Sequence, residues 1–157
     1  MTDIEPTQSP STVAPAPPPP EPSPPSSAKD GKPSCGVAPP EDLERWVDQA
    51  SAALVFVGES PIIDRAAVLL IIRYESSGNP CVVNDWDSNA AAGTPSKGLI
   101  QAIQPTFDRW SLPGYGDPFH PVDSIVAGVR YARGRYGSES SVPGVLGVRA
   151  GRGYVGY

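Results

Sequence analysis

Proline divides the chain into two parts. Of its 21 prolines, 13 lie in the first 40 of the 157 residues. Proline fixes φ and lacks a backbone N–H, so a segment this rich in it does not continue helices or central strands. The same 40 residues contain no aromatic side chain and bury too little apolar surface to offset the entropy of ordering. We therefore predict a disordered linker, partly polyproline II, over residues 1–40 and a folded domain over residues 41–157.

Charge and hydropathy exclude several classes of protein. No run without a polar residue is longer than eight residues, far short of the ~20 residues that cross a bilayer, so we expect no membrane span. A net charge of −5 argues against a nucleic-acid partner. One histidine and two cysteines do not suffice for a structural zinc site. We therefore expect neither a metal nor a cofactor.

Apolar spacing predicts a mainly α-helical domain. Residues with apolar side chains recur at intervals of three and four, and no segment alternates with the period of a strand. The predicted helices span residues 41–57, a segment from about residue 60 to about residue 76, residues 105–110 and residues 121–136. Four helices joined by loops define a compact helical fold.

The second helix has the strongest start and stop signals. Ser60 is a good N-cap and Pro61 suits the first helical position. Residues 66–72 are apolar on nearly every side, which predicts a buried central helix. Gly78 and Pro80 end it.

Glu75 lies at the end of this helix, directly before a polar turn. The negative end of the helix dipole and an apolar wall both favour the protonated carboxyl, so we expect a raised pKa. A carboxyl of raised pKa is what a general acid needs to protonate a glycosidic oxygen. The alternative from position alone is a surface glutamate that happens to end a helix.

Three short stretches resemble the soluble lytic transglycosylases, lysozyme-like enzymes that cut bacterial peptidoglycan. Residues 75–80, Glu-Ser-Ser-Gly-Asn-Pro, are similar to the catalytic turn of that family. Residues 98–101, Gly-Leu-Ile-Gln, are similar to its Gly-Leu-Met-Gln motif, and residues 105–107 and 123–131 continue the pattern. The order of the motifs and the 23-residue separation of the first two (98 minus 75) make the resemblance specific.

The resemblance covers residues 61–157, which are 97 of the 157 residues. Residues 84–97 and the ending at 151–157 are most similar to the actinobacterial and phage tape-measure branch. The resemblance implies a compact lysozyme-like helical domain. It also implies that Glu75 alone acts as acid and base, first protonating the bond between N-acetylmuramic acid (MurNAc) and N-acetylglucosamine (GlcNAc). Glu75 would then accept the proton of the MurNAc 6-hydroxyl as a 1,6-anhydro ring closes.

Five further residues are candidates for binding the sugar chain. The resemblance gives Gln101 and Ser96 contacts with substrate or with Glu75, although both also suit a purely structural role in their loops. Tyr131 and Tyr154 are candidates for stacking on sugar rings, with a core position as the alternative. We favour Tyr154, because glycines flank its segment and leave room for a ligand. Asn84 opens the loop that leads to Ser96 and completes the set. The Ala-Tyr-Asn motif of many relatives is missing.

Asp85 and Asp87 are candidates for a second carboxylate. If either activates water, the protein is an inverting muramidase that leaves a hydrolysed product. Their alternative role is to shape a polar loop through turns that their own side chains stabilise. With Asn89 they also resemble part of a calcium loop, but the glycine and distal glutamate of an EF-hand are missing.

Cys35 and Cys81 are candidates for a disulfide, with two buried thiols as the alternative. A disulfide would indicate an oxidising compartment and fits a substrate outside the membrane. The first residues lack the pattern of a secretory signal, so either the chain stays inside the cell or a leader has been removed. Five arginines from Arg130 onward, against the single acid Glu139, form a basic patch for an anionic wall polymer or a solvated helix face.

Together these features predict a monomeric lytic transglycosylase that acts on peptidoglycan glycan strands. We expect it to be secreted or to face the cell envelope, with a phage-associated protein as the lesser alternative. The alternative from another class of protein is a wall-binding module without catalytic activity.

Overall fold

The computed structural model of the protein describes residues 16–20 and 29–156. Within them the chain forms six helices and one antiparallel sheet of two short strands, which confirms the mainly α prediction. A 3-10 helix, Glu139–Ser141, joins the last two helices. The elements are α1 (Pro40–Phe56), α2 (Arg65–Ser76), β1 (Val83–Asn84), α3 (Ser88–Ala91), β2 (Ser96–Lys97), α4 (Gln104–Trp110), α5 (Pro121–Tyr136) and α6 (Pro143–Arg149). No helix in the described ranges is long and apolar enough to cross a membrane.

Helices α1, α4 and α5 lie within one residue of their predicted bounds, but α2 begins later than predicted. The predicted cap, Ser60, is wrong because contacts from elsewhere in the chain hold residues 60–63 outside the helix. Arg133 donates to the carbonyls of Ser60 and Pro61, at 2.7 and 2.8 Å. The helix therefore starts at Arg65, and Asp64 caps it by accepting from the Ala67 amide at 3.0 Å.

The central helix is α5, not α2. Residues 121–129 of α5 are buried throughout, between α1 on one side and α4 on another. The prediction failed because two of these residues are polar: Asp123 and Ser124 are buried and hydrogen-bonded. Helix α2 instead buries one face and exposes Arg73 and Tyr74.

Residues 29–39, which the sequence assigned to the linker, lie against the helical body. The Lys29 ammonium pairs with the buried carboxylate of Asp123 and lies 4.2 Å from the centre of the Tyr115 ring. His120 Nε2 hydrogen-bonds to the Asp30 carbonyl at 2.8 Å. The described part of the body therefore begins earlier than residue 41. The linker predicted over residues 1–15 and 21–28 lies outside the described residues.

Cys35 and Cys81 form the disulfide that the sequence predicted as one alternative, with Cα atoms 5.4 Å apart. Two backbone contacts reinforce it, because Gly36 N donates to Asn79 Oδ1 and Ala38 N to the Gly78 carbonyl. A closed loop of this size contributes up to ~4 kcal/mol in the loop-entropy model. The disulfide thus fixes the N-terminal segment to the turn that follows α2.

Three arginines of the predicted basic patch are used inside the fold. Arg130 pairs with Glu59, Arg133 with Glu139 and Arg149 with Asp64. Arg130 also donates to the carbonyls at the end of α4. These guanidinium groups hold helices to loops, so they contribute little to a surface for anionic polymers.

The Asp64 carboxylate accepts hydrogen bonds from two side chains as well as from the backbone amide of Ala67. Arg149 donates to both of its carboxylate oxygens, at 2.7 and 2.8 Å, and Ser140 Oγ donates at 2.7 Å. The Arg149 guanidinium is the main reason why the pKa of Asp64 lies below its usual range. Asp64 thereby connects the start of α2 to α6.

We expect the Asp64→Ala variant to lose about 2 kcal/mol of unfolding free energy at neutral pH, because both the helix cap and the ion pair disappear. The folded-state pKa of Asp64 is lowered, so its stabilisation is present above the unfolded pKa near ~3.9 and declines as the pH falls below it. The difference in unfolding free energy between wild type and variant, measured by urea unfolding, should therefore decrease below about pH 4. The exposed Asp85, replaced by alanine, is the control, and a difference independent of pH would contradict the assignment.

Candidate active site

The C-terminal end of α2 positions Glu75. The next residue, Ser76, is buried, and its hydroxyl donates to the carbonyls of Ile72 and Leu99 at 3.1 and 2.8 Å. Ser77 then adopts the left-handed conformation, with φ of 55°, and ends the helix. The second contact of Ser76 fixes the helix end to the 98–101 turn. The two strongest sequence motifs are therefore joined directly, beside a half-buried Glu75.

The Tyr154 hydroxyl donates to Glu75 Oε1 at 2.7 Å. Burial, and next the bond to Glu75, raise the pKa of Tyr154 far above its usual value, so the hydroxyl stays protonated and acts as a donor. The ring of Tyr74 stacks on that of Tyr154, with centroids 4.8 Å apart and planes 2° from parallel. Tyr74 thus covers a face of Tyr154 that sugar stacking would need, and the Tyr154 hydroxyl holds the Glu75 carboxyl in place.

Glycines of α6 seat Tyr154. A Cβ at Gly144 would lie 2.3 Å from Tyr154 Cε2, and one at Gly147 would lie 2.3 Å from the Gly153 carbonyl oxygen. The segment after α6 therefore folds back along a glycine face of that helix. A Cβ at Gly153 or Gly156 would meet nothing within 4 Å, so the side-chain positions of the two glycines near Tyr154 face open space, as expected.

A cleft of about 160 Å³ opens between α5 and the hairpin that holds the two strands. Its lining combines apolar side chains with amide, hydroxyl and phenol groups. This combination suits a ligand with hydroxyl and amide groups. The polar side chains on the cleft wall are Asn89, Ser96, Gln101, Thr106 and Tyr131.

Gln101 stabilises the loop on which it lies. Its Nε2 donates to the carbonyls of Val82 and Gly98, at 2.9 and 2.8 Å, and its own backbone has a φ of 58°. Gly98 cannot be replaced easily, because a Cβ there would lie 2.0 Å from the Pro118 carbonyl oxygen. These contacts favour the structural alternative for Gln101, although the side chain also lines the cleft.

Tyr131 and Ser96 lie on the cleft wall, and Asn84 faces Ser96 across the two-stranded sheet. The ring of Tyr131 makes edge contacts with Trp110 and Tyr136, with centroids 6.4 and 6.1 Å away. Burial is the main cause of its raised pKa. The Oδ1 of Asn84 accepts from a loop amide at 3.3 Å. Tyr131 is thus a packed wall of the cleft.

The candidate second carboxylates contribute to loop structure or face solvent. Asp87 Oδ1 accepts from the Ala90 amide at 2.9 Å and caps α3, as the turn alternative predicts. Asp85 is exposed. In the described ranges, no three side chains of the metal-ligating types converge on one point.

Sequence reasoning missed Tyr74 and Gly144. Tyr74 is adjacent to Glu75, but its stacking partner lies 80 residues further along the chain (154 minus 74). Gly144 and Gly147 recur at the three-residue spacing of one helix face, and this spacing was the available signal. Pro143, directly before Gly144, also marked the first position of a helix.

The fold and site define a transglycosylase domain. The family model for the transglycosylase SLT domain matches residues 57–146, which are 90 of the 157 residues, so the chain belongs to that family. The family assignment and the lysozyme-like helical fold expected from the motifs are therefore confirmed. Tyr154 lies beyond the matched range.

The chain is also similar to the uncharacterized protein YqbO of Bacillus subtilis (strain 168), at 40% identity over 116 residues. That match covers 74% of this chain but only 7% of YqbO, so the chain corresponds to a small part of a much longer protein. No solved structure gave a significant match.

We expect Tyr154→Phe to lower kcat by about 10- to 100-fold, because Glu75 loses a hydrogen bond to its carboxyl group. The phenylalanine ring keeps the stack on Tyr74, so the melting temperature should change little. Steady-state rates on glycan strands measure the effect. Full activity would contradict a positioning role and would favour stacking on sugar, which phenylalanine also performs.

Gly144→Ala should displace Tyr154, since the new methyl group would overlap its ring. We expect a loss of about 1–3 kcal/mol in unfolding free energy together with a loss of activity. Gly156→Ala is the matched control, because its new methyl group meets nothing within 4 Å. Equal behaviour of the two variants in denaturant unfolding and turnover would show that the α6 face does not seat Tyr154.

Proposed function

We propose that the protein is a peptidoglycan lytic transglycosylase that cleaves the β-1,4 bond between MurNAc and GlcNAc. The observation that carries the proposal is the hydrogen bond of 2.7 Å from Tyr154 to Glu75, at the end of a helix within the family match. A carboxyl held in one orientation by a neighbouring phenol is suited to proton transfer.

Glu75 performs both proton transfers in this proposal. In its protonated form it gives a proton to the glycosidic oxygen, and the bond from that oxygen to C1 of MurNAc breaks. The carboxylate then accepts the proton of the MurNAc 6-hydroxyl while O6 bonds to C1. The 1,6-anhydro ring closes, Glu75 is protonated again, and no water is consumed.

The contacts of the other acids support a reaction with one carboxylate. An inverting muramidase needs a second carboxylate roughly 6.5–9.5 Å from the first, with room for water between them. Asp87 is engaged in capping α3, and Asp85 faces solvent. The muramidase therefore remains the second candidate.

A binding module without catalysis is less well supported. A cleft that only holds sugar gains little from a half-buried carboxyl, which is expensive to desolvate. The packing that seats Tyr154 against Glu75 would have no purpose in such a module.

The proposal places the protein outside the cytoplasm, in the envelope or secreted, as a monomer on glycan strands. The disulfide supports this location, because such bonds persist in oxidising compartments. The loop at residues 84–97 supports the actinobacterial or phage tape-measure branch. A phage-associated role is the alternative within the same proposal.

A digest of purified peptidoglycan tests the reaction, with released muropeptides analysed by mass spectrometry. We expect wild type to release products lighter by one water than hydrolytic products. Glu75→Gln should release none, because a carboxamide is too weak an acid to protonate the glycosidic oxygen. The control, Asp87→Asn, keeps a capping oxygen and should retain anhydro products. Hydrolytic reducing ends from wild type would contradict the transglycosylase and favour the muramidase.

A further inference from the structure

A second groove lies between α1 and α2 and reaches the turn that follows Glu75. It has a volume of about 420 Å³, within the roughly 300–1,000 Å³ typical of ligand sites. Pro40, Leu43 and Leu69 make its wall largely apolar, and Ser77 and Gly78 form its end. One residue of the groove wall, Ser77, is therefore only two residues from Glu75 in the sequence.

Arg73 supplies the positive charge of this groove. Its side chain is exposed in the last turn of α2, with its guanidinium carbon 5.8 Å from the centre of the Tyr74 ring. Among the described residues, no carboxylate pairs with Arg73. The acid that also lines the groove, Glu44, pairs with Arg65 instead. The groove thus combines an apolar wall with a cation available to a ligand.

The substrate of the proposed function carries a group of matching chemistry. Each muramic acid of peptidoglycan bears, on its lactyl group, a short peptide with small apolar side chains and free carboxylates. That peptide leaves the sugar whose C1 would react at Glu75, and at up to ~3.5 Å per residue it is long enough to reach the groove at Ser77 and Gly78. Methyl groups fit an apolar wall, and a carboxylate fits the fork of a guanidinium group.

We propose that the groove between α1 and α2 binds the peptide stem of peptidoglycan, with Arg73 pairing to a stem carboxylate. This inference rests on the proposed function and deepens it, because it makes the enzyme selective for glycan that still carries peptides. The carrying observations are the apolar wall, the position beside Ser77 and Gly78, and the charge of Arg73.

Two substrates separate this role from a general effect on catalysis. Turnover is measured on glycan strands with intact stems and on the same strands after an amidase has removed the stems. We expect Arg73→Gln to lower kcat/KM about fivefold on the first substrate, the size of one ion pair of ~1 kcal/mol, and not on the second. Arg73→Lys should retain most of the preference, and Arg73→Glu should lose more than the glutamine variant.

Arg135→Gln is the matched control. Arg135 is also exposed in the last turn of a helix, with its guanidinium carbon 5.8 Å from the centre of the ring that follows, Tyr136. The Arg135→Gln variant should leave kcat/KM unchanged on both substrates. Equal loss on both substrates, or no loss with Arg73→Gln, would overturn the proposal.

A binding measurement distinguishes failure of this inference from failure of the proposed function. If wild type releases nothing from either substrate, the proposed function fails. The groove is then judged by calorimetric titration with a soluble muramyl tripeptide. Binding weakened by Arg73→Gln but not by Arg135→Gln supports the peptide site, and equal binding by all three proteins overturns it.

Discussion

Helix α2 is held at both ends by residues from the last part of the chain, and the site depends on these two contacts. At its start, Asp64 accepts from Arg149 and Ser140. At its end, Glu75 accepts from Tyr154 at 2.7 Å. Twelve residues of helix span about 18 Å, and α6 packs against this length. The orientation of Glu75 therefore depends on contacts between residues 85 and 79 positions apart in the sequence, and these contacts form only when the whole domain has closed.

The turn after Glu75 is fixed from two further directions. Ser76 reaches across to the Leu99 carbonyl, and the Cys35–Cys81 disulfide brings the N-terminal segment against Gly78 and Asn79. A proton donor displaced by about 1 Å can lose on the order of 100-fold in rate. A disulfide and several hydrogen bonds thus restrain this short turn, and such restraint is consistent with the proposed proton transfers.

Local signals predicted the parts of the structure that local interactions determine. Apolar spacing and a proline at or near each helix start predicted α1, α4 and α5 to within a residue, because both signals are local. The start of α2 could not be predicted locally, since Arg133 and Glu139 hydrogen-bond to residues 60–63 from more than 70 positions away. Tyr154 was identified as a candidate from its glycines, but its partner was not, because no pattern within a segment reports a contact across 79 residues. The sequence therefore identified the motif residues of the candidate site but not the packing around them.

Helix α2 was predicted to be buried on all sides, but it has an outer surface that remains partly exposed. A helix that is apolar on nearly every side but buries only one face leaves parts of its apolar side chains uncovered by the core. Leu69 packs partly against the core and also lines the groove, one turn before Arg73 on the same side of the helix. Leu43 of α1 faces the same groove and also contacts the end of α2 at Gly78. Apolar side chains retained beside an exposed cation are typical of a surface that binds a ligand, and this surface adjoins the turn that positions Glu75.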